Sequence, residues 1–173
     1  MNAIAVANEF VDLAKKENRD IKLLGLVKLT YLAHGFSLAA NNEPLLDYRY
    51  DSVEAWRYGP VIPSVYHTFK HNKSNPIKEM AEIPRWAEDG TIANYTTPRV
   101  ESPSALSIIR FVWERYKKCT DSQLVSLLHR DGTPWKLSYI ENANMPIDDE
   151  YTKLFYSKLM MLLKEEGKWM TNA

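Results

Sequence analysis

Apolar positions recur at helical spacing over most of the chain. Ile4, Ala7, Phe10, Val11 and Ala14 share one face, which predicts a first helix ending in the polar run Lys15-Lys16-Glu17-Asn18. Leu24, Val27, Tyr31, His34, Phe36 and Leu38 predict a second, from about Lys22 to Asn41, with Asn41-Asn42 as its end. Gly25 and Gly35 inside it each cost about 1 kcal/mol relative to alanine, so another element is expected to approach closely there. Residues 43–62 lose the 3.6-residue period and read as a loop with short extended pieces and a small hairpin. Pro63 suits a first helical turn, opening a helix through Val65, Tyr66 and Phe69 to about Asn72.

Residues 73–102 carry Pro76, Pro84, Gly90 and Pro98 and read as irregular, with short strands around Ile92–Tyr95. Ser102-Pro103 is an N-cap followed by a first-turn proline. Ala105, Ile108, Ile109, Val112, Trp113 and Tyr116 mark the buried stripe of the helix it opens. Thr120 and Gln123 have capping-box spacing ahead of Leu124, Leu127 and Leu128. Asp131-Gly132-Thr133-Pro134 is a turn, a brief helix follows at Trp135, and a last helix runs from about Asp149 to Glu166, with Gly167 as its stop. The reading is a mainly α, compact single-domain helical bundle with a short irregular or β-hairpin insertion, spanning residues 1–173.

Composition narrows the function classes. Lys plus Arg equals Asp plus Glu, 22 against 22, and residues 1–86 alone hold 11 basic and 10 acidic side chains. Binding to duplex nucleic acid draws most of its affinity from phosphate neutralisation, so this balance argues against a nucleic-acid partner. Cys119 is the single cysteine, which leaves no intrachain disulfide or multi-thiolate zinc site and fits a reducing compartment. The longest stretch free of Asp, Glu, Lys and Arg, Leu29–Asn42, is shorter than the roughly 20 residues of a membrane span. With acidic Glu9 and Asp12 near the start and no signal-peptide pattern, a cytoplasmic protein is expected.

The histidines are the first candidates for chemistry. His67 and His71 stand four apart on a helix, but the intervening residues hold no glutamate and no third ligand is evident. They read as solvated helix residues, and no metal is expected. His34 reads as a hydrogen-bonded core residue, and His129 as a cap on the carbonyls of its short helix. Either histidine as a general base is the enzymatic alternative; no catalytic residue is assigned. The six glycines form no phosphate-binding loop, so no cofactor is expected. Ten tyrosines and five tryptophans suit a core or a protein-binding surface.

The most distinctive stretch is Glu54-Ala55-Trp56-Arg57-Tyr58-Gly59-Pro60-Val61-Ile62-Pro63. Pro60 and Pro63 fix φ and Pro60 restricts Gly59, so the segment is stiff. It either docks on the helices as scaffold or presents its aromatic rings to a partner.

That stretch, together with Leu26-Val27-Lys28-Leu29-Thr30-Tyr31-Leu32-Ala33-His34-Gly35-Phe36, Pro44-Leu45-Leu46 and Val65-Tyr66, resembles the Panacea domain, the SocA-like or GepA-like antitoxin family of bacteria and phages. Leu124–His129 followed by Thr133-Pro134-Trp135 is similar to the family's later His…Pro-Trp pair, and the likeness extends over about residues 4–160. The resemblance implies a mostly helical antitoxin that neutralises a cognate protein toxin encoded nearby by direct, chaperone-like contact. Some members instead hand the toxin to an ATP-dependent protease. Trp56, Tyr58, Gly59, Pro60, His129, Pro134 and Trp135 are then signature residues, and Trp56, Arg57, Tyr58 and Tyr66 are the candidate toxin contacts. A nucleic-acid-binding regulator is the other alternative; no separate DNA-binding segment is evident in this sequence.

Overall fold

A computed structural model of the chain describes residues 1–170. The fold is mainly α, with seven α-helices and two small antiparallel sheets among the described residues. Helix α1 (Ala3–Lys16) begins where the Asn2 side chain accepts the Ile4 N–H at 2.9 Å. Helix α2 (Leu23–Asn41) ends on Asn42, whose φ of 57° is the left-handed cap that asparagine tolerates. Both ends fall where the sequence pattern places them.

Helix α2 is the centre of the fold, with α1, α4, α5 and α7 packed against it. Its apolar residues point in every direction, and Leu26, Val27, Leu29, Tyr31, Leu32 and Phe36 are all buried. A helix that is apolar all round needs neighbours on all sides. By length and composition α2 also passes as a membrane span, but most of it is covered by the rest of this fold. Both of its glycines meet the close approach expected of them. A Cβ on Gly25 would lie 2.7 Å from an Asp121 carboxylate oxygen, and one on Gly35 would overlap the Tyr156 ring of α7.

After α2 comes the hairpin β1 (Glu54–Trp56) and β2 (Gly59–Val61), with Trp56 opposite Gly59 and Ala55 opposite Pro60. Arg57 and Tyr58 form its tip. Helix α3 (Pro63–Phe69) follows and tightens into a 3₁₀ turn at Lys70–Asn72. The irregular segment holds a second hairpin, β3 (Ile83–Trp86) and β4 (Ile92–Thr96), of which the sequence suggests only the later strand. Asn8 of α1 ties this segment down: its side chain donates to the carbonyls of Ala81 and Pro98 and accepts the Ala81 N–H.

Helix α4 (Pro103–Tyr116) is capped by Ser102 and α5 (Asp121–Leu128) by the full Thr120–Gln123 box. Helix α6 (Pro134–Ser138) starts on the hydroxyl of Thr133. A short strand, β5 (Met145–Pro146), then returns to pair with β1, giving the order β2-β1-β5. Helix α7 (Asp149–Glu165) closes the fold. It stops at Gly167 (φ 63°), where the Lys168 N–H reaches back to the Leu163 carbonyl at 2.7 Å.

Candidate functional site

The two aromatic motifs of the sequence meet in space. Antiparallel pairing of β1 and β2 holds the Trp56 carbonyl toward α6, where the Trp135 indole N–H donates to it at 2.8 Å. Pro134 in the first turn of α6 fixes the start of that helix and so the position of Trp135. His129, the C-cap residue of α5, stacks flat on the Trp135 ring with centroids 3.7 Å apart and planes within 6°. Tyr139 stacks on Trp135 at 4.7 Å. His129 thus occupies the helix end that its sequence position indicates, but its ring is engaged by the indole face.

Gly59 lies at the junction. Its φ of 102° is one that L side chains rarely adopt, and a Cβ there would stand 3.0 Å from Cε and Nζ of Lys28 and 3.4 Å from Nε2 of His129. Lys28 is fully buried, and its ammonium donates to the Pro60 carbonyl at 2.9 Å. It makes no ion pair among the described residues, and burial pushes its pKa down to about 7. Burial also lowers the pKa of His129, assisted by the positive charges of Lys28 and Lys136. The Nε2 of His129 is buried with no hydrogen-bond partner among the described residues. Lys28 is the residue that sequence reasoning passes over. Its signal is available: it is the one Asp, Glu, Lys or Arg within the 19 residues of α2.

The outer side of the hairpin is open. Trp56 is half-buried, its indole N–H donating to Glu54 at 2.7 Å and its ring packed edge-on against Tyr66 at 4.9 Å. Arg57 and Tyr58 project at the tip, Tyr58 being 60% exposed, with the guanidinium 5.5 Å from the phenol ring. Between the hairpin and the start of α2 runs a groove of about 420 Å³ lined by Leu23, Leu24, Val27, Trp56, Val61 and Tyr66, with Lys28, Arg57, Tyr58, Lys73 and Asn144 completing it. The four candidate contacts Trp56, Arg57, Tyr58 and Tyr66 therefore border one depression. Gly59, Pro60, His129, Pro134 and Trp135 are not among its lining residues.

The other histidines stand apart from this site. Both ring nitrogens of His34 are committed: Nδ1 accepts the Leu45 N–H at 3.2 Å and Nε2 donates to Asp149 at 3.1 Å. This is the hydrogen-bonded core role expected of it. On α3 and the turn after it, His67 accepts from Lys70 and His71 donates to the Thr68 carbonyl.

Residues 26–136 match the family described as Antitoxin SocA-like, Panacea domain. The chain belongs to this family. The matched interval opens just before Lys28 and closes just after Trp135, so it contains Lys28, Trp56, Gly59, Pro60, His129 and Trp135 of the junction though not Tyr139, and it lies within the residues 4–160 over which the resemblance is expected. Among curated proteins, Antitoxin SocA of Caulobacter vibrioides (strain NA1000 / CB15N) is 34% identical over 135 residues, covering 78% of this chain and 69% of that protein. No solved structure matches the chain. Panacea membership supports an antitoxin role and, with it, a toxin as the partner.

Proposed function

We propose that this chain neutralises a cognate protein toxin encoded nearby by direct, chaperone-like protein–protein contact in the cytoplasm, as a single Panacea unit without a catalytic step or cofactor. The observation that carries this reading is the junction of the two aromatic motifs. The bond from Trp135 to the Trp56 carbonyl joins segments 79 residues apart, and it stiffens the hairpin whose tip projects Arg57 and Tyr58 beside an apolar groove. A preformed surface gives up little conformational entropy on binding, and exposed Tyr and Arg beside Trp are the residue types that dominate interface energetics. Trp56 and Tyr66 supply the wall of the contact surface, Arg57 and Tyr58 its rim.

Co-expression tests the reading. The reading frame adjacent to this gene is expected to arrest growth when expressed alone in a bacterial host, and this protein is expected to restore it. A harmless neighbour, or arrest that persists on co-expression, overturns the proposal. Direct neutralisation leaves the toxin intact in a complex that co-purifies, whereas delivery to an ATP-dependent protease lowers toxin levels only in cells holding that protease. Replacing both tip residues (R57A/Y58A) is expected to abolish rescue while leaving the soluble yield of this protein unchanged, since both side chains are exposed.

A further inference from the structure

The groove beside the hairpin has a chemistry of one sign. Its exposed cations are Arg57 and Lys73, its third basic residue, Lys28, is buried with its Nζ donating to the Pro60 carbonyl, and no aspartate or glutamate lines it. None of the three forms an ion pair among the described residues. Glu54, the acidic residue of β1, directs its carboxylate to the Trp56 indole N–H. Other clefts of the molecule mix their charges. The one beside α1 and α4 combines Glu9 and Asp12 with Lys16, Arg99 and Arg110, and the one at the starts of α2 and α5 combines Asp20 and Asp121 with Lys22 and Lys117. The cleft beside α1 and α4 has one cation in excess, but its Lys16 and Arg99 are ion-paired with Asp12 and Glu9. Cations with no carboxylate beside them are what sets this groove apart, on a chain that is neutral in total.

We propose that the groove seats a short segment of the toxin in which an apolar side chain is flanked by carboxylates. The proposal rests on the antitoxin reading above and adds the chemistry of what is bound. The apolar side chain lies between Leu23 and Leu24 on one side and the Trp56–Tyr66 pair on the other. The carboxylates meet Arg57 and Lys73, which stand exposed at the rim. Burial of the apolar group supplies affinity, and the like-signed rim supplies encounter rate and selectivity against basic partners. A volume of about 420 Å³ is an anchor pocket within a wider footprint, since a stable interface buries roughly 1,600 Å² in all. The tight edge-on packing of Trp56 on Tyr66 keeps the pocket open before the partner arrives.

The probe is the purified toxin from the co-expression experiment, titrated calorimetrically against the full chain at about 50 mM and about 300 mM salt. The double charge reversal R57E/K73E is expected to weaken binding roughly tenfold or more at the lower salt and to remove most of the salt dependence. Its circular dichroism and melting temperature should match the wild type, because both side chains are exposed. Leu24→Glu in the wall is expected to weaken binding as strongly. L154E/M161E, on the exposed apolar face of α7, should leave affinity within about twofold of the wild type. If R57E/K73E binds as the wild type does and L154E/M161E does not, the contact lies on α7 and the groove assignment is overturned while the antitoxin reading stands. If a single-stranded oligonucleotide binds the wild type, loses binding in R57E/K73E, and the toxin is indifferent to the same change, the cations serve nucleic acid and the proposal falls. A wild type that binds no toxin overturns the antitoxin reading itself, and the groove's assignment with it.

Discussion

Gly59 concentrates more constraint than any other residue of the hairpin. Its backbone occupies a region that costs an L side chain about 1–3 kcal/mol, and its α-carbon covers both the Lys28 ammonium and the His129 ring. Gly59→Ala is therefore expected to lower stability by about 2–4 kcal/mol, combining backbone strain with overpacking. Urea unfolding at constant pH measures it, and a change below about 0.5 kcal/mol would show that the hairpin relaxes freely. Trp135→Phe probes the neighbouring link by keeping a ring against His129 while removing the donor to the Trp56 carbonyl. A loss of about 1–3 kcal/mol is expected from the orphaned carbonyl, and an unchanged unfolding midpoint would count against the bond. The stiffness of the Gly-Pro stretch is legible in the sequence because it follows from local φ limits. The packing of Gly59 over Lys28 is not, since no local rule connects a hairpin glycine with a helix residue 31 positions earlier.

At the scale of elements, the two glycines of α2 separate close packing from flexible contact. A Cβ at position 35 meets the Tyr156 ring, which is fully buried and held edge-on against Tyr31 and Phe36. The ring has nowhere to retreat. Gly35→Ala is thus expected to destabilise by roughly 2–3 kcal/mol in spite of the gain of about 1 kcal/mol in helix propensity. At position 25 the obstacle is the carboxylate end of Asp121, the first residue of α5, which can swing away. Gly25→Ala is expected to lie within about 1 kcal/mol of the wild type. Thermal unfolding of the two variants side by side checks the ordering, and equal losses would contradict it. Helices were the readable part of this fold because periodicity and caps are local: Asn2, Ser102, Thr120 and Gly167 do in the structure what their residue types imply. Strands β3 and β5 escape such reading. Met145–Pro146 is two residues long and becomes a strand only by pairing with Glu54–Ala55, some ninety positions away in the chain.

Over the whole molecule, the balance of 22 basic against 22 acidic side chains conceals where the charges lie. A total reports no segregation, so the positive groove, and beside it the Lys28 ammonium that makes no ion pair among the described residues, become visible only once the chain is folded. That ammonium ties global stability to pH. In the unfolded chain a lysine holds its proton to about 10.5, whereas burial lets Lys28 release it near 7. Between these values the unfolded state binds more protons, so the stability lost to burying the charge is regained as pH rises from about 7 toward 10.5. The difference corresponds to roughly 3–5 kcal/mol over the window. The Pro60 carbonyl accepts from the ammonium, and the His129 ring is close enough to feel its charge. His129, itself lowered from 6.5, makes its own gain in stability below that pH, ahead of the Lys28 window. Tyr31, Tyr116 and Tyr156, all raised by burial, oppose the trend only at the alkaline end. Lys28→Met keeps the apolar stem and removes the titration, at a pH-independent cost of about 1–3 kcal/mol for the lost bond to Pro60. Urea unfolding of both proteins from pH 7 to 10 is expected to show the wild type gaining on the variant by several kcal/mol, with most of the gain above pH 7.5. Parallel curves would mean that the Lys28 ammonium keeps its proton when folded, stabilised by groups other than the Pro60 carbonyl.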